Sequence, residues 1–125
     1  MILDTNALSA AADDDPSLIA LLGRAELVAI PVIVLGEYRY GIAQSRSREG
    51  YENWLAGLLH DCMVLDVNEA TTHYYAEIVL ELRKKGKPIP TNDLWIAALC
   101  RQHSMPLVSR DRHFDLVAGN KRVGW

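Results

Sequence analysis

Apolar and polar positions alternate along the chain in short blocks. Residues 1–3 form an apolar run that stops at Asp4 and predicts a short first strand. Asn6 follows, and its side-chain oxygen suits a helix cap for a helix through about residue 12. Asp13-Asp14-Asp15-Pro16 breaks the pattern, Pro16 opens a second helix over 16–22, and Gly23 closes it. Residues 26–30 (ELVAI) predict a second strand. Pro31 is expected to end strand pairing there and to open a helix to about residue 44. On that helix Ile33, Glu37, Tyr40 and Gln44 share one face, read as the inward one. A polar link, Arg46-Ser47-Arg48, precedes helical spacing at Tyr51, Trp54, Leu55, Leu58 and Leu59.

The second half repeats the alternation. Residues 62–67 (CMVLDV) predict a third strand, and residues 68–85 the longest helix, with Tyr75, Ile78, Val79 and Leu82 as its apolar stripe. Gly86-Lys87-Pro88-Ile89-Pro90 is a loop. Thr91 or Asn92 is expected to cap a helix to about residue 103. Residues 105–108 predict a fourth strand, residues 112–117 a helical turn, Gly119-Asn120 a second turn, and residues 122–124 a fifth, edge strand. Strands alternating with helices indicate an α/β domain, a three-layer α/β/α sandwich around a mostly parallel five-stranded sheet. In such sheets ligands collect at the carboxyl ends of the strands.

The chain has 125 residues, half of them hydrophobic, which fits one domain over 1–125 with a single core. Sixteen acidic and thirteen basic side chains leave a net charge of −3, so bulk charge does not announce nucleic acid. Any binding to RNA would rest on local basic groups. The first residues carry no basic segment followed by a long apolar run, and no apolar stretch approaches the roughly 18 to 20 residues that span a bilayer. Cys62 and Cys100 lack C-x-x-C spacing and read as buried, reduced thiols of a cytoplasmic protein. No membrane partner is expected.

Four carboxylates stand at chemically telling places. Asp4 ends the first strand, Asp111 lies just past the fourth, Asp93 is in the first turn of the helix feeding that strand, and Glu37 is on the helix after the second. If the first and fourth strands are neighbours, all four can converge at one sheet edge. Convergence raises the cost of ionising each acid, and a hard divalent cation such as Mg²⁺ or Mn²⁺ relieves it. Such a cation activates water and stabilises charge on a phosphoryl oxygen. No His-rich or Cys-rich set points to zinc. Singly, Asp4 also suits a helix cap, Asp93 the positive end of a helix dipole, and Asp111 a turn. Glu37, set among apolar neighbours, resists an ordinary explanation. Asp115 reads as a supporting acid or as an exposed helix residue.

The order of these residues resembles a known family. Asp4-Thr5-Asn6 comes first, then Glu37, then Asn92-Asp93-Leu94-Trp95-Ile96-Ala97-Ala98, then Leu107-Val108-Ser109-Arg110-Asp111-Arg112-His113-Phe114. The chain resembles the PIN-domain ribonucleases and, within them, the VapC-type toxins of toxin–antitoxin pairs. The likeness covers residues 2–125, and the segment from Asn92 to Ala98 is its most specific part. It implies a five-stranded parallel sheet and a catalytic set of Asp4, Glu37, Asp93 and Asp111, with Asp4, Asp93 and Asp111 as direct metal ligands. Thr5, Asn6, Ser109 and Asp115 would support them, Ser109 standing where many members carry Thr. It further implies RNA hydrolysis by a metal-activated water without a covalent enzyme intermediate, giving 5′-phosphate and 3′-hydroxyl ends. A homodimer and a VapB-type antitoxin are the implied partners, the antitoxin lying on apolar residues of the second to fourth helices.

Arg110 and Arg112 flank Asp111 and are candidate phosphate guides. Lys84 and Lys85, with Arg83 and Lys87, form the densest basic cluster, suited to RNA phosphates or simply to a helix C-terminus. Trp54 and Trp95 fit core or interface packing better than base stacking. His60, His73, His103 and His113 share no ligand or triad spacing and read as structural or exposed. Two rivals remain. A Mg²⁺-dependent phosphotransfer domain also uses a strand-end Asp, but a phosphatase of the haloacid-dehalogenase type wants a second Asp where Asn6 stands, and a receiver domain wants an acidic pair at the first strand end. The other rival is a PIN-like domain that only binds RNA or protein.

Overall fold

A computed structural model describes all 125 residues. The elements follow in the order β1 (Ile2–Leu3), α1 (Thr5–Ala12), α2 (Pro16–Gly23), β2 (Ala29–Pro31), α3 (Val32–Ile42), α4 (Arg48–Leu59), β3 (Met63–Leu65), α5 (Glu69–Lys85), α6 (Thr91–His103), β4 (Leu107–Val108), a 3-10 turn (Arg112–Leu116) and β5 (Arg122–Val123). The five strands form one sheet in the order β3-β2-β1-β4-β5, and every pair is parallel. Consecutive residues of β1, β2 and β4 (Ile2, Leu3, Ala29, Ile30, Leu107, Val108) are all fully buried. Neighbouring side chains on a strand point to opposite faces, so helices cover both faces of the sheet. The result is the expected α/β/α sandwich. Met63 and Val64 on the edge strand β3 stay exposed.

Register sets the site. Leu3 pairs with Val108, so Asp4 and Ser109 leave their strands side by side at the carboxyl edge. Asp111 follows two residues later. The central position of β1, with β2 on one side and β4 on the other, makes this possible for residues more than a hundred positions apart.

Several local expectations need correction. Asp4, not Asn6, caps α1: its carboxylate accepts from the Thr5 amide at 2.7 Å, and Asn6 lies inside the helix. The second strand lies later than 26–30 and includes Pro31, which pairs with Leu65. Proline lacks an amide hydrogen, but its carbonyl still serves a parallel ladder, and here it also leads into α3. The buried side of α3 is Val34, Leu35, Tyr38 and Ile42, whereas Tyr40 is 85% exposed. Glu37 therefore lies at the edge of the packed face, half-buried. Neither Thr91 nor Asn92 caps α6: Pro90 precedes the helix in an extended conformation, with no side-chain cap.

Elsewhere the caps match their residues. Asp15 accepts from the amides of Ser17 and Leu18 to start α2. Asn68 and Thr71 form a reciprocal capping box on α5, which ends at Gly86 with φ of +63°. Cys100 is buried and Cys62 half-buried, and both are free thiols; burial pushes Cys100 up to about 12. Trp54 packs at a tilt against Tyr38, and Trp95 stacks on Tyr75 with ring centres 3.9 Å apart. No helix is long and apolar enough to cross a membrane.

Candidate metal centre

Asp4 is the buried member of the acidic group, 5% exposed. Its Oδ1 accepts from the Thr5 amide, and its Oδ2 accepts from the Ser109 hydroxyl at 2.7 Å and from Asn6 Nδ2 at 3.1 Å. Asn6 thus occupies, as a donor, the position where a phosphatase would need its second acid. Its own Oδ1 accepts from the Arg110 amide, which ties α1 to the loop after β4. Ser109, fully buried, also accepts from the Asp111 amide at 2.9 Å. One hydroxyl therefore fixes the spacing between Asp4 and the Asp111 loop.

Asp111 caps the 3-10 turn by accepting from the His113 amide at 2.9 Å. That cap folds residue 113 back onto residue 111, so His113 Nδ1 stands 3.1 Å from Asp111 Oδ1 and 3.4 Å from Asp93 Oδ2. Asp93 reaches this point from the first turn of α6. Asp93, Asp111 and His113 each offer a ligand atom within 4.8 Å of the others. His113 was not expected here. The signal for it is the Asp-x-His spacing at a turn entry, because a capping carboxylate brings the residue two positions on beside itself.

Glu37 joins from the other side. Thr5 donates its hydroxyl to Glu37 at 3.1 Å and its amide to Asp4, so it links the two acids. Glu37 lines a cleft of about 260 Å³ with Thr5, Ser9, Asp13, Tyr38 and Tyr51. The buried Tyr38 hydroxyl on that cleft has no hydrogen-bond partner. A larger hollow of about 360 Å³ lies where β4 begins, lined by Met105, Pro106 and the turn at 117–121, away from the acids.

The remaining candidates sit further out. Asp115 meets Arg122 in a two-pronged pair at 2.9 Å, and Arg122 donates on to the Ser109 carbonyl, so Asp115 acts on the acidic edge through the backbone of Ser109. Arg110 is turned away toward Asp15, at 3.5 Å, and lies over the Trp125 ring, 4.4 Å from its centre. Arg112 is exposed. Lys84 and Lys85 are exposed at the end of α5, and Lys85 reaches the carbonyl of Leu116 in the turn after Asp111.

The electrostatics follow from this arrangement. Burial raises the Asp4 carboxyl above its ordinary range, against the pull of its hydrogen bonds from Ser109 and Thr5. Burial also pushes Asp93 up to about 6, with Asp4 and Asp111 adding to the rise and His113 opposing it. No Lys or Arg stands within salt-bridge distance of Asp4, Glu37, Asp93 or Asp111. Carboxylates gathered without a fixed cation, and offering hard oxygen donors, fit a divalent metal ion.

Comparison with known proteins bears on the family and the fold. A family model described as the PIN domain matches residues 1–120. Ribonuclease VapC2 of Rickettsia felis is 32% identical over 114 residues, covering 88% of this chain and 85% of that protein. Ribonuclease VapC5 of Mycobacterium tuberculosis is 29% identical over 98 residues, covering 77% and 73% respectively. Among solved structures, VapBC2 from Rickettsia felis, bound to a promoter DNA fragment, superposes with a TM-score of 0.87 at 30% identity over 99% of this chain and 97% of that one. VapBC-1 from nontypeable Haemophilus influenzae gives 0.86 at 25% identity over 99% and 96%. The chain belongs to the PIN-domain family and, within it, to the VapC type.

Proposed function

We propose that this chain is an endoribonuclease, the toxin of a type II toxin–antitoxin pair, and that it hydrolyses RNA phosphodiesters with Mg²⁺ or Mn²⁺. The observation that supports the reading is the pairing of Asp93 and Asp111 at the carboxyl edge of a PIN fold, near enough to the buried Asp4 for the charges to raise one another, with no Lys or Arg to neutralise them. The VapC ribonuclease relatives supply the reaction class.

Asp4, Asp93 and Asp111 would hold the ion, with Glu37 completing the acidic set from the cleft side. When bound, the ion supplies Lewis-acid activation of water and stabilises charge on a phosphoryl oxygen. Ser109 keeps Asp4 and the Asp111 loop in one arrangement, so the acids need not reorganise during the reaction. Thr5 does the same between Asp4 and Glu37. Asp115 steadies Arg122, which holds the Ser109 carbonyl. The cleft beside Glu37, about 260 Å³, offers room next to the scissile phosphate for part of an unpaired nucleotide, and single-stranded RNA, whose bases can be splayed out into such a cleft, is the favoured substrate. Lys84 and Lys85 on the helix end near Leu116, with the exposed Arg112, supply cations for flanking phosphates. Arg110, occupied by Asp15 and Trp125, contributes less than its place in the sequence implies.

A VapB-type antitoxin is the proposed protein partner and the cytoplasm the proposed compartment. Ile19 on α2 and Val32 and Tyr40 on α3 leave apolar surface for that partner or for a second copy in a homodimer.

The test uses the chain purified free of its partner, single-stranded RNA, and Mg²⁺ or Mn²⁺. Asp4→Asn and Asp93→Asn should each lower cleavage by about 100-fold or more, and chelation should abolish it. Undiminished cleavage by both variants would sink the assignment.

A further inference from the structure

We propose that His113 is a metal ligand of this site, through Nδ1, and that it biases the site toward Mn²⁺ over Mg²⁺. The inference rests on the metal-dependent reading above and adds to it a nitrogen donor beside the carboxylates.

The geometry is specific. In a shell with bonds of roughly 2.1 Å, neighbouring donors stand about 3.0 Å apart in an octahedron and about 3.4 Å apart in a tetrahedron. His113 Nδ1 lies 3.1 Å from Asp111 Oδ1 and 3.4 Å from Asp93 Oδ2. Two edges of a coordination polyhedron are thus already in place. The ring is held there by the chain itself, since the His113 amide donates to Asp111 and Phe114, the next residue, is fully buried in the core. The imidazole is half-exposed, so its proton can sit on Nε2 toward water while the Nδ1 lone pair faces the two acids. Asp4 faces the same group closely enough for its charge to be felt at Asp93.

A set of carboxylates alone suits Mg²⁺, which demands oxygen and dehydrates reluctantly. An imidazole in the set favours transition ions, since nitrogen binds Mn²⁺ and its heavier neighbours better than it binds Mg²⁺. The residue thereby decides which ion a mixed pool delivers to the site.

The test is pulsed electron paramagnetic resonance on the purified chain loaded with Mn²⁺, beside Mn²⁺ titrations with and without competing Mg²⁺. The wild type should show a ¹⁴N coupling typical of a bound imidazole. His113→Gln should lose the coupling, bind Mn²⁺ about 10-fold more weakly, and compete for Mg²⁺ nearly as well as the wild type. His113→Asp, which restores an oxygen donor, should recover divalent-ion binding without the coupling. Thermal melts of the metal-free variants report their folding, which a half-exposed side chain should leave intact. Mn²⁺ bound to the wild type without ¹⁴N coupling overturns the inference while leaving the nuclease reading standing. Failure of the wild type to bind Mn²⁺ at all overturns both.

Discussion

Ser109 carries more of the site than its small side chain suggests. It is fully buried, donates to Asp4 at 2.7 Å and accepts from the Asp111 amide at 2.9 Å. Removing the hydroxyl leaves a part-buried amide without a partner and one fewer donor on a buried acid. Ser109→Ala should therefore destabilise the metal-free chain by about 1–2 kcal/mol in urea denaturation. It should also weaken Mn²⁺ binding about 10-fold, as loss of an outer hydrogen bond does in metal sites. Ser109→Thr keeps the hydroxyl and should keep the affinity; any cost of its extra methyl appears in stability alone. Wild-type Mn²⁺ affinity in Ser109→Ala would show that the bridge does not set the spacing of the acids. At this scale the carboxylates were legible and their company was not. The positions of Asp4, Asp93 and Asp111 at element ends follow from hydrophobic pattern. That His113 joins them follows from a capping hydrogen bond two residues long, which no periodicity reports. Asn6 and Asp4 both suit the cap of α1 by local preference, and the strand register, not that preference, selects Asp4.

The elements are held in register by contacts that lie apart from the chemistry. Arg101 on α6 meets Glu81 of α5 at 3.0 Å through both guanidinium nitrogens, approaches Glu77, and donates to the Ala118 carbonyl at 2.9 Å. One side chain thus joins two helices to the turn before β5. Eight residues separate it from Asp93, about 12 Å along the helix. Arg101→Met keeps the stem and loses the bonds. Glu77 and Glu81 are exposed enough to be resolvated, so the expected cost is about 1 kcal/mol, mostly from the Ala118 carbonyl and the lost two-pronged pair. Mn²⁺ affinity should not change. A variant as stable as the wild type would mean that helix packing alone fixes α5 on α6, and a fall in metal affinity would mean that the two ends of α6 are coupled. Helix order and type were readable because each helix is long enough to show its period. Strand bounds were less so. With two or three paired residues each, the strands are too short for alternation to mark their ends, and Pro31 could be placed inside β2 only by its partner Leu65. Tyr40 misled for a related reason: spacing groups residues by face but does not say which face meets the core.

Across the whole molecule, acids exceed bases by three, and part of that excess is concentrated at one edge of a buried sheet. The metal-free fold therefore works against its own site at neutral pH. Asp93 ionises at about 6 in the folded chain and near 3.8 when free of it, the rise being due first to burial. Between those values the folded state holds more protons than the unfolded one, so stability falls as pH rises through that window and levels off above it. A rise of that size corresponds to about 3 kcal/mol, which solvent screening of this partly exposed carboxylate reduces to about 2 kcal/mol. Urea denaturation of the metal-free wild type and of Asp93→Asn across pH 4 to 7.5 isolates it. The variant should match the wild type near pH 4 and exceed its stability above pH 6, although its nuclease activity is lost. Mn²⁺ should reverse the wild-type decline, because the ion binds the ionised acids and not the protonated ones. Its thermal stabilisation should then be larger at pH 7.5 than at pH 5, and small in Asp93→Asn at both. Parallel curves for the two proteins would mean that the Asp93 carboxylate is accommodated without cost, and the electrostatic reason for a cation at this edge would fall with it. If the curves diverge as expected, the molecule holds at its sheet edge a charge arrangement that folding alone disfavours and that a bound divalent ion completes.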